Sequence, residues 1–359
     1  MPETRFFLGT NGPKGFCSLY DELTEAEGLR LYILKGGPGC GKSSFMRRIA
    51  DEAKSRGYDT ELIRCSGDPD SMDALVIPAL SSAFLDGTAP HVSEPKYPGV
   101  SGMYIDLGRF YDAAALHEYA TEVAAGFLAY KARYRRAYSL INGAFYVTEH
   151  ANDAFLTEEV IAAVRKRADG IARREFGKRG TEKCGKATKR FLAAFTCHGF
   201  VCCTETLVTL CDRLYLLDDR YSLADIVLKT LADSAEHTGY DTVRCPDPRD
   251  PKKLQALLVP ALSLGFLAAG DGKFPKCVRP YRHIRLDSMA DAYVRTPQAK
   301  KSVRAAERQA ETLLKFAQNE LSEAKRLHDE LEAIYNPHVD FDGVYAEAER
   351  YAKLLFGET

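Results

Sequence analysis

The sequence lacks most of the features that would at once tie a chain to a compartment or a partner. Its formal net charge is −1, so no overall field draws it to nucleic acid or to an anionic membrane surface. Long apolar runs are missing: residues 257–269 form the longest, and Pro260 interrupts it well short of a bilayer's width. The opening stretch MPETRFFLGTNGPKG has no basic segment followed by an apolar one, so no signal peptide is expected. Paired C-x-x-C spacing is also absent, although there are ten cysteines, at 17, 40, 65, 184, 197, 202, 203, 211, 245 and 277. Cys197, His198, Cys202, Cys203 and Cys211 therefore read as buried thiols and a neighbouring histidine rather than as a zinc module. A reducing cytoplasm is the expected setting, with no membrane partner.

What the sequence does contain is one dense motif. Residues 31–48 read LYILKGGPGCGKSSFMRR, a buried strand, a glycine-rich loop and a helix starting near Lys42. The spacing Gly36-x4-Gly41-Lys42-Ser43 fits a phosphate-binding P-loop at every specified position. Such a loop wraps a triphosphate with inward backbone N–H groups, and side chains at the glycines would collide with it. The expected ligand set is Gly36, Gly37, Pro38, Gly39, Cys40, Gly41, Lys42, Ser43 and Ser44. Lys42 would reach the β and γ phosphates of ATP, Ser43 would hold Mg2+, and the helix N-terminus would add its dipole.

The chain is written twice. Gly57-Tyr58-Asp59-Thr60 returns as Gly239-Tyr240-Asp241-Thr242, and Pro78-Ala79-Leu80-Ser81 returns as Pro260-Ala261-Leu262-Ser263, both at an offset of 182. Further echoes are Arg5-Phe6 with Arg190-Phe191, Leu31-Tyr32 with Leu214-Tyr215, and Arg64-Cys65 with Arg244-Cys245. Two α/β units are expected, 1–183 and 184–359, each a parallel sheet flanked by helices and followed by a helical segment. In the first, helices are expected near 110–141 and 158–176. In the second, apolar residues recur every three or four positions from Val303 to Ile334, until Asn336-Pro337 stops the helix. That helix would span about 45 to 50 Å, with a last helix at 341–355 folding back as a hairpin. Its coiled-coil-like seam suits packing within the chain or, alternatively, a homodimer.

Opposite GGPGCGKSS the second copy has DDRYSLADI, without a glycine and with Asp218 and Asp219 where a triphosphate would sit. Like charges there are repulsive, so a single nucleotide site is expected, in the first copy. Asp86 becomes Ala268, Asp70 becomes Lys252 and Asp73 becomes Gln255, whereas Cys65, Asp68, Pro78 and Asp106 (as Asp287) are read as retained. Asp86 ends a hydrophobic strand and is the candidate metal-organising acid beside Ser43. Its plainer reading is a turn residue before Gly87. Asp70 and Asp73 are the other catalytic candidates.

The loop, the stretch DPDSMDALVIPALSSAFLDGTAPH (68–91) and the duplicated layout resemble a little-characterised family of bacterial P-loop ATP-binding proteins, ATPase or nucleotide-kinase-like. The resemblance covers nearly the whole chain and implies ATP binding. In that family the second copy can also keep its P-loop; here it does not. Gly87 stands where motor-type hydrolases place a glutamate, and no Asn-Lys-x-Asp motif favours GTP. The expected activity is Mg2+-dependent ATP hydrolysis. Alternatives are a small-molecule or nucleotide kinase using Asp70, Asp73 or His91, and an ATP-dependent module binding protein or nucleic acid. Nucleic acid would use the basic region 131–190, with Lys131, Arg133, Arg135 and Arg136 as lid or polyanion contacts. Arg220 and Arg244 are candidate cations supplied by the second copy to the γ-phosphate.

Overall fold

The computed structural model describes residues 2–89, 92–177, 183–270, 279–294 and 296–357; His91 and Cys277 lie outside them. The strand read at 31–34 runs Arg30–Lys35. Alternation divides its side chains between two cores: Tyr32 and Leu34 pack under the helix Lys42–Ser55, while Leu31 and Ile33 face the second half of the chain. That helix buries Phe45, Met46, Ile49, Ala50 and Ala53, and Gly57 at φ +83° ends it.

Two six-stranded sheets share one strand order. The first runs Glu3–Phe6, Thr60–Arg64, Met72–Ile77, Ser82–Asp86, Arg30–Lys35, Gly102–Asp106. The second runs Ala187–Lys189, Thr242–Pro246, Leu254–Val259, Leu264–Ala269, Arg213–Asp218, Arg282–Ile284. The expectation of parallel sheets is corrected, because Met72–Ile77 and Leu254–Val259 run antiparallel to both of their neighbours. The cause is the connection. Only the 3-10 turn Pro78–Leu80 and Ser81, at φ +44°, lead from Met72–Ile77 into the next strand. A parallel crossover needs about a dozen residues or more.

Strand pairing also moves three of the echoes. Ile63 pairs with Ala74 as Cys245 pairs with Ala256, so Cys245 stands for Ile63 and Cys65 is not retained. Ile105 pairs with Leu34 as Ile284 pairs with Leu217, which sets Asp106 opposite Arg285 rather than Asp287. Glu3 pairs with Thr60 as Ala187 pairs with Thr242, so Phe7, not Phe6, matches Phe191. Phe7 and Phe191 meet each other in an antiparallel bridge, each N–H donating to the other's carbonyl at 2.9 Å. The halves thus touch as the subunits of a twofold dimer would. One apolar core joins the inner faces of both sheets.

The outer helices are exchanged between halves. Glu158–Glu175 comes from the first half and packs on Ala224–His237 over the second sheet. Phe341–Phe356 packs on Lys42–Ser55 over the first sheet, and so does not return along the preceding helix as a hairpin. The helices Ala120–Thr148 and Pro297–Tyr335 lie antiparallel, with Gly126 against Leu331 and Gly143 against Leu313. Starting at Pro297, the second is 39 residues and about 58 Å long, more than its apolar repeat alone implied. Its seam is used within the chain. No helix among the described residues is long and apolar enough to cross a membrane.

Candidate functional site

Between the strand Arg30–Lys35 and the helix Lys42–Ser55 the chain turns sharply, and Gly39 and Gly41 turn it with φ of +67° and +83°. Residues with a Cβ are strained there. Gly41 is also the N-cap and has no side chain to offer the first helical N–H groups.

Lys42 curls back over this loop. Its Nζ donates to Gly36 O at 3.0 Å and Gly37 O at 2.9 Å, and lies 3.7 Å from Asp86 Oδ2. Burial by itself disfavours the ammonium charge, but the Asp86 carboxylate and the Cys40 sulfur outweigh it and raise the Lys42 pKa. Asp86 closes the strand beside the loop strand. Its Oδ1 accepts the Thr88 N–H at 2.9 Å and the Thr88 hydroxyl at 2.6 Å. Asp86 is therefore a turn residue through one oxygen, as its plainer reading has it, and a partner of Lys42 through the other. Ser43 Oγ accepts the Met72 N–H at 3.1 Å. Cys40 is buried beneath the loop, which pushes its thiol pKa up, and Ser44 is exposed.

The other candidates have different partners. Asp73 is the extra residue of a β-bulge, since Ile63 pairs with Ala74 and Arg64 with Met72. Bulges re-aim side chains, and this one sends a buried carboxylate to the Tyr20 hydroxyl at 2.7 Å. Asp70 lies on a turn with its side chain 84% exposed, 3.9 Å from Arg64. Arg133 and Arg136 pair with Glu320 on the long helix, Arg220 with Glu307, and Arg244 with Glu236 and Asp233. Lys131 lies over the Phe127 ring. Cys197 and Cys203 are buried, and burial pushes the Cys203 thiol up to about 12.

Several loop partners gave no local signal in the sequence. The Tyr111 hydroxyl donates to Pro38 O at 2.7 Å. Glu332, at the end of the long helix, accepts the Gly39 N–H on Oε1 at 3.3 Å. The Asn336 amide, with its nitrogen turned to two carbonyls, donates to Gly39 O and Glu332 O at 3.2 Å each. Val344 and Phe341 close behind Gly41. The stop at Asn336-Pro337 hinted that the chain turns there, but nothing local placed that turn on the loop.

The corresponding loop of the second half is organised around an acid. Asp219 Oδ1 accepts the Ala224 N–H at 2.8 Å, at the start of the helix Ala224–His237. Desolvation is the main cause that pushes its pKa up to about 7, against the pull of that backbone N–H. Between about pH 4, where the unfolded carboxyl titrates, and about pH 7, the folded state holds a proton that the unfolded state releases. Stability should therefore fall as pH rises through that window. Asp219→Asn keeps a capping oxygen and removes the titration. Urea melts of both proteins at pH 5 and pH 8 are expected to show the variant gaining relative to wild type at pH 8. A difference that is the same at both values excludes the titration. Asp287, raised to about 6 by burial and then by Asp218, is present in both proteins, and its charge is one of the smaller causes of the Asp219 shift.

Compared with protein-family profiles, with curated proteins and with solved structures, the chain matches none.

Proposed function

We propose that this is a P-loop NTPase-like protein that binds one Mg-ATP per chain at residues 36–44 and hydrolyses it. The observation that supports this most is the join of loop, lysine and acid. Two left-handed glycines link a buried strand to an uncapped helix, and a lysine of that helix meets a carboxylate ending the adjacent parallel strand. A helix N-terminus of this kind attracts anions. Lys42 needs only to leave the Gly36 and Gly37 carbonyls to place its charge on a phosphate.

Ser43 and Asp86 supply the hard oxygen donors that suit Mg2+, and would hold it there. Once bound, the ion would neutralise charge on the phosphates. Asp86 keeps its orientation through Thr88, and Lys42, beside it at 3.7 Å, would add its positive charge to the phosphates. A stoichiometry of one follows from Asp219, whose carboxylate already occupies the equivalent helix N-terminus.

Asp86→Asn tests the assignment. The amide retains an acceptor for Thr88 but not the charge. ATP binding is expected to stay within a few-fold of wild type while release of ADP and phosphate, measured without added acceptor, falls about a hundredfold. Wild-type turnover in the variant would remove Asp86 from the mechanism, and ADP release only with an added acceptor would make the protein a kinase.

A further inference from the structure

We infer that Glu332 is an internal anion of the glycine-rich loop, one that nucleotide must displace in order to bind. The inference rests on the proposal that residues 36–44 take a triphosphate. Backbone N–H groups of such a loop are its anion-binding elements, and the Gly39 N–H is taken by the Glu332 carboxylate. Four carbonyls of the loop are tied down as well. Lys42 is spent on Gly36 O and Gly37 O, Tyr111 holds Pro38 O, and Asn336 ties Gly39 O to the end of the long helix. Glu332 also adds to the negative field at Lys42. A bound γ-phosphate beside that carboxylate would face a like charge.

The second half places an acid at the same end of its own helix. There the acid at the helix N-terminus, Asp219, belongs to the loop itself and cannot leave. Glu332 belongs to a different element, its side chain is 38% exposed, and its neighbours include His328 at 3.8 Å and the Asp329 carboxylate within 4.8 Å. It can swing out to solvent. Because Asn336 ends the helix Pro297–Tyr335 and precedes the helix Phe341–Phe356 on Lys42–Ser55, displacement would loosen the turn between them. Occupancy of the loop would then be reported at the end of a helix that packs along Ala120–Thr148.

The test is Mg-ATPγS binding by titration calorimetry to wild type, Glu332→Ala, Glu332→Gln and Lys42→Ala. A hydrogen bond to a charged group that no longer competes predicts binding about tenfold tighter or more in Glu332→Ala, with Glu332→Gln intermediate. Hydrogen exchange gives a second readout: ATPγS should speed exchange across residues 332–340 in wild type and less so in Glu332→Ala, which keeps the Asn336 contacts but has lost the Glu332 tie to the loop. If Lys42→Ala loses binding while both Glu332 variants bind as wild type or more weakly, the internal anion is wrong and the phosphate loop stands. If Lys42→Ala binds as wild type, the loop assignment falls and this inference falls with it.

Discussion

A fragment comprising residues 1–183 is expected to show no cooperative thermal transition and no ATP binding, although it contains the entire glycine-rich loop. The cause is the exchange of helices. The helix Lys42–Ser55 is covered by Phe341–Phe356, and Tyr351 packs against Tyr32, Phe45 and Phe84 at ring distances of 5.5, 6.1 and 6.5 Å. Truncation uncovers those rings together with Phe7 and Leu8 of the shared core, all of them buried in the full chain. It also leaves Val160, Val164, Ala168 and Ile171 without the sheet they cover. Each large apolar side chain returned to water costs about 1.5–3 kcal/mol, and a whole domain is stable by only about 5–15 kcal/mol. Several such losses together reach that range. Co-expression with residues 184–359 should restore both the transition and binding. A fragment that melts cooperatively and binds ATP like the full chain would show that the exchanged helices are dispensable.

The exchange explains why some of the fold was legible in the sequence and some was not. Strand and helix identities follow from local pattern, and residues 30–35, 42–55, 158–175 and 341–356 lie where periodicity and stop signals set them. The antiparallel strand Met72–Ile77 was harder, because its side chains are buried throughout and no alternation shows. The Pro78-to-Ser81 link was the usable clue, being too short for a crossover. The loop, Lys42 and Asp86 could be found because spacing and strand ends are one-dimensional features. Asp73 is a different case. A loss in one copy marked it as chemistry, whereas its partners Tyr20 and Cys65 form a buried polar contact outside the glycine-rich loop. Glu332 and Asn336 reach the loop across 293 and more residues, through a helix whose destination depends on the other half. Pairwise geometry of that kind has no signature in a single sequence.

Lys42→Ala is expected to weaken Mg-ATP binding about a hundredfold or more in a protein that still melts cooperatively, at a somewhat lower temperature. In the absence of nucleotide the ammonium satisfies Gly36 O and Gly37 O and faces Asp86, so it is already held over the loop, with its side chain only 13% exposed. Two charge-assisted hydrogen bonds to phosphate oxygens, at about 1.5–3 kcal/mol each, amount to at least a hundredfold in affinity. The fold loses something as well, because Asp86, its side chain 13% exposed, is left without its cation, but the neighbouring buried residues Phe45, Met46 and Ile49 keep their contacts. Asp86, deprived of its cation, would stand closer in charge to the incoming triphosphate and add to the loss. Calorimetric titration alongside a thermal melt separates the two quantities. Full affinity in a folded variant would dismiss the phosphate loop altogether, and lost affinity with a melting point lowered by many degrees would mean that Lys42 holds the fold rather than the nucleotide.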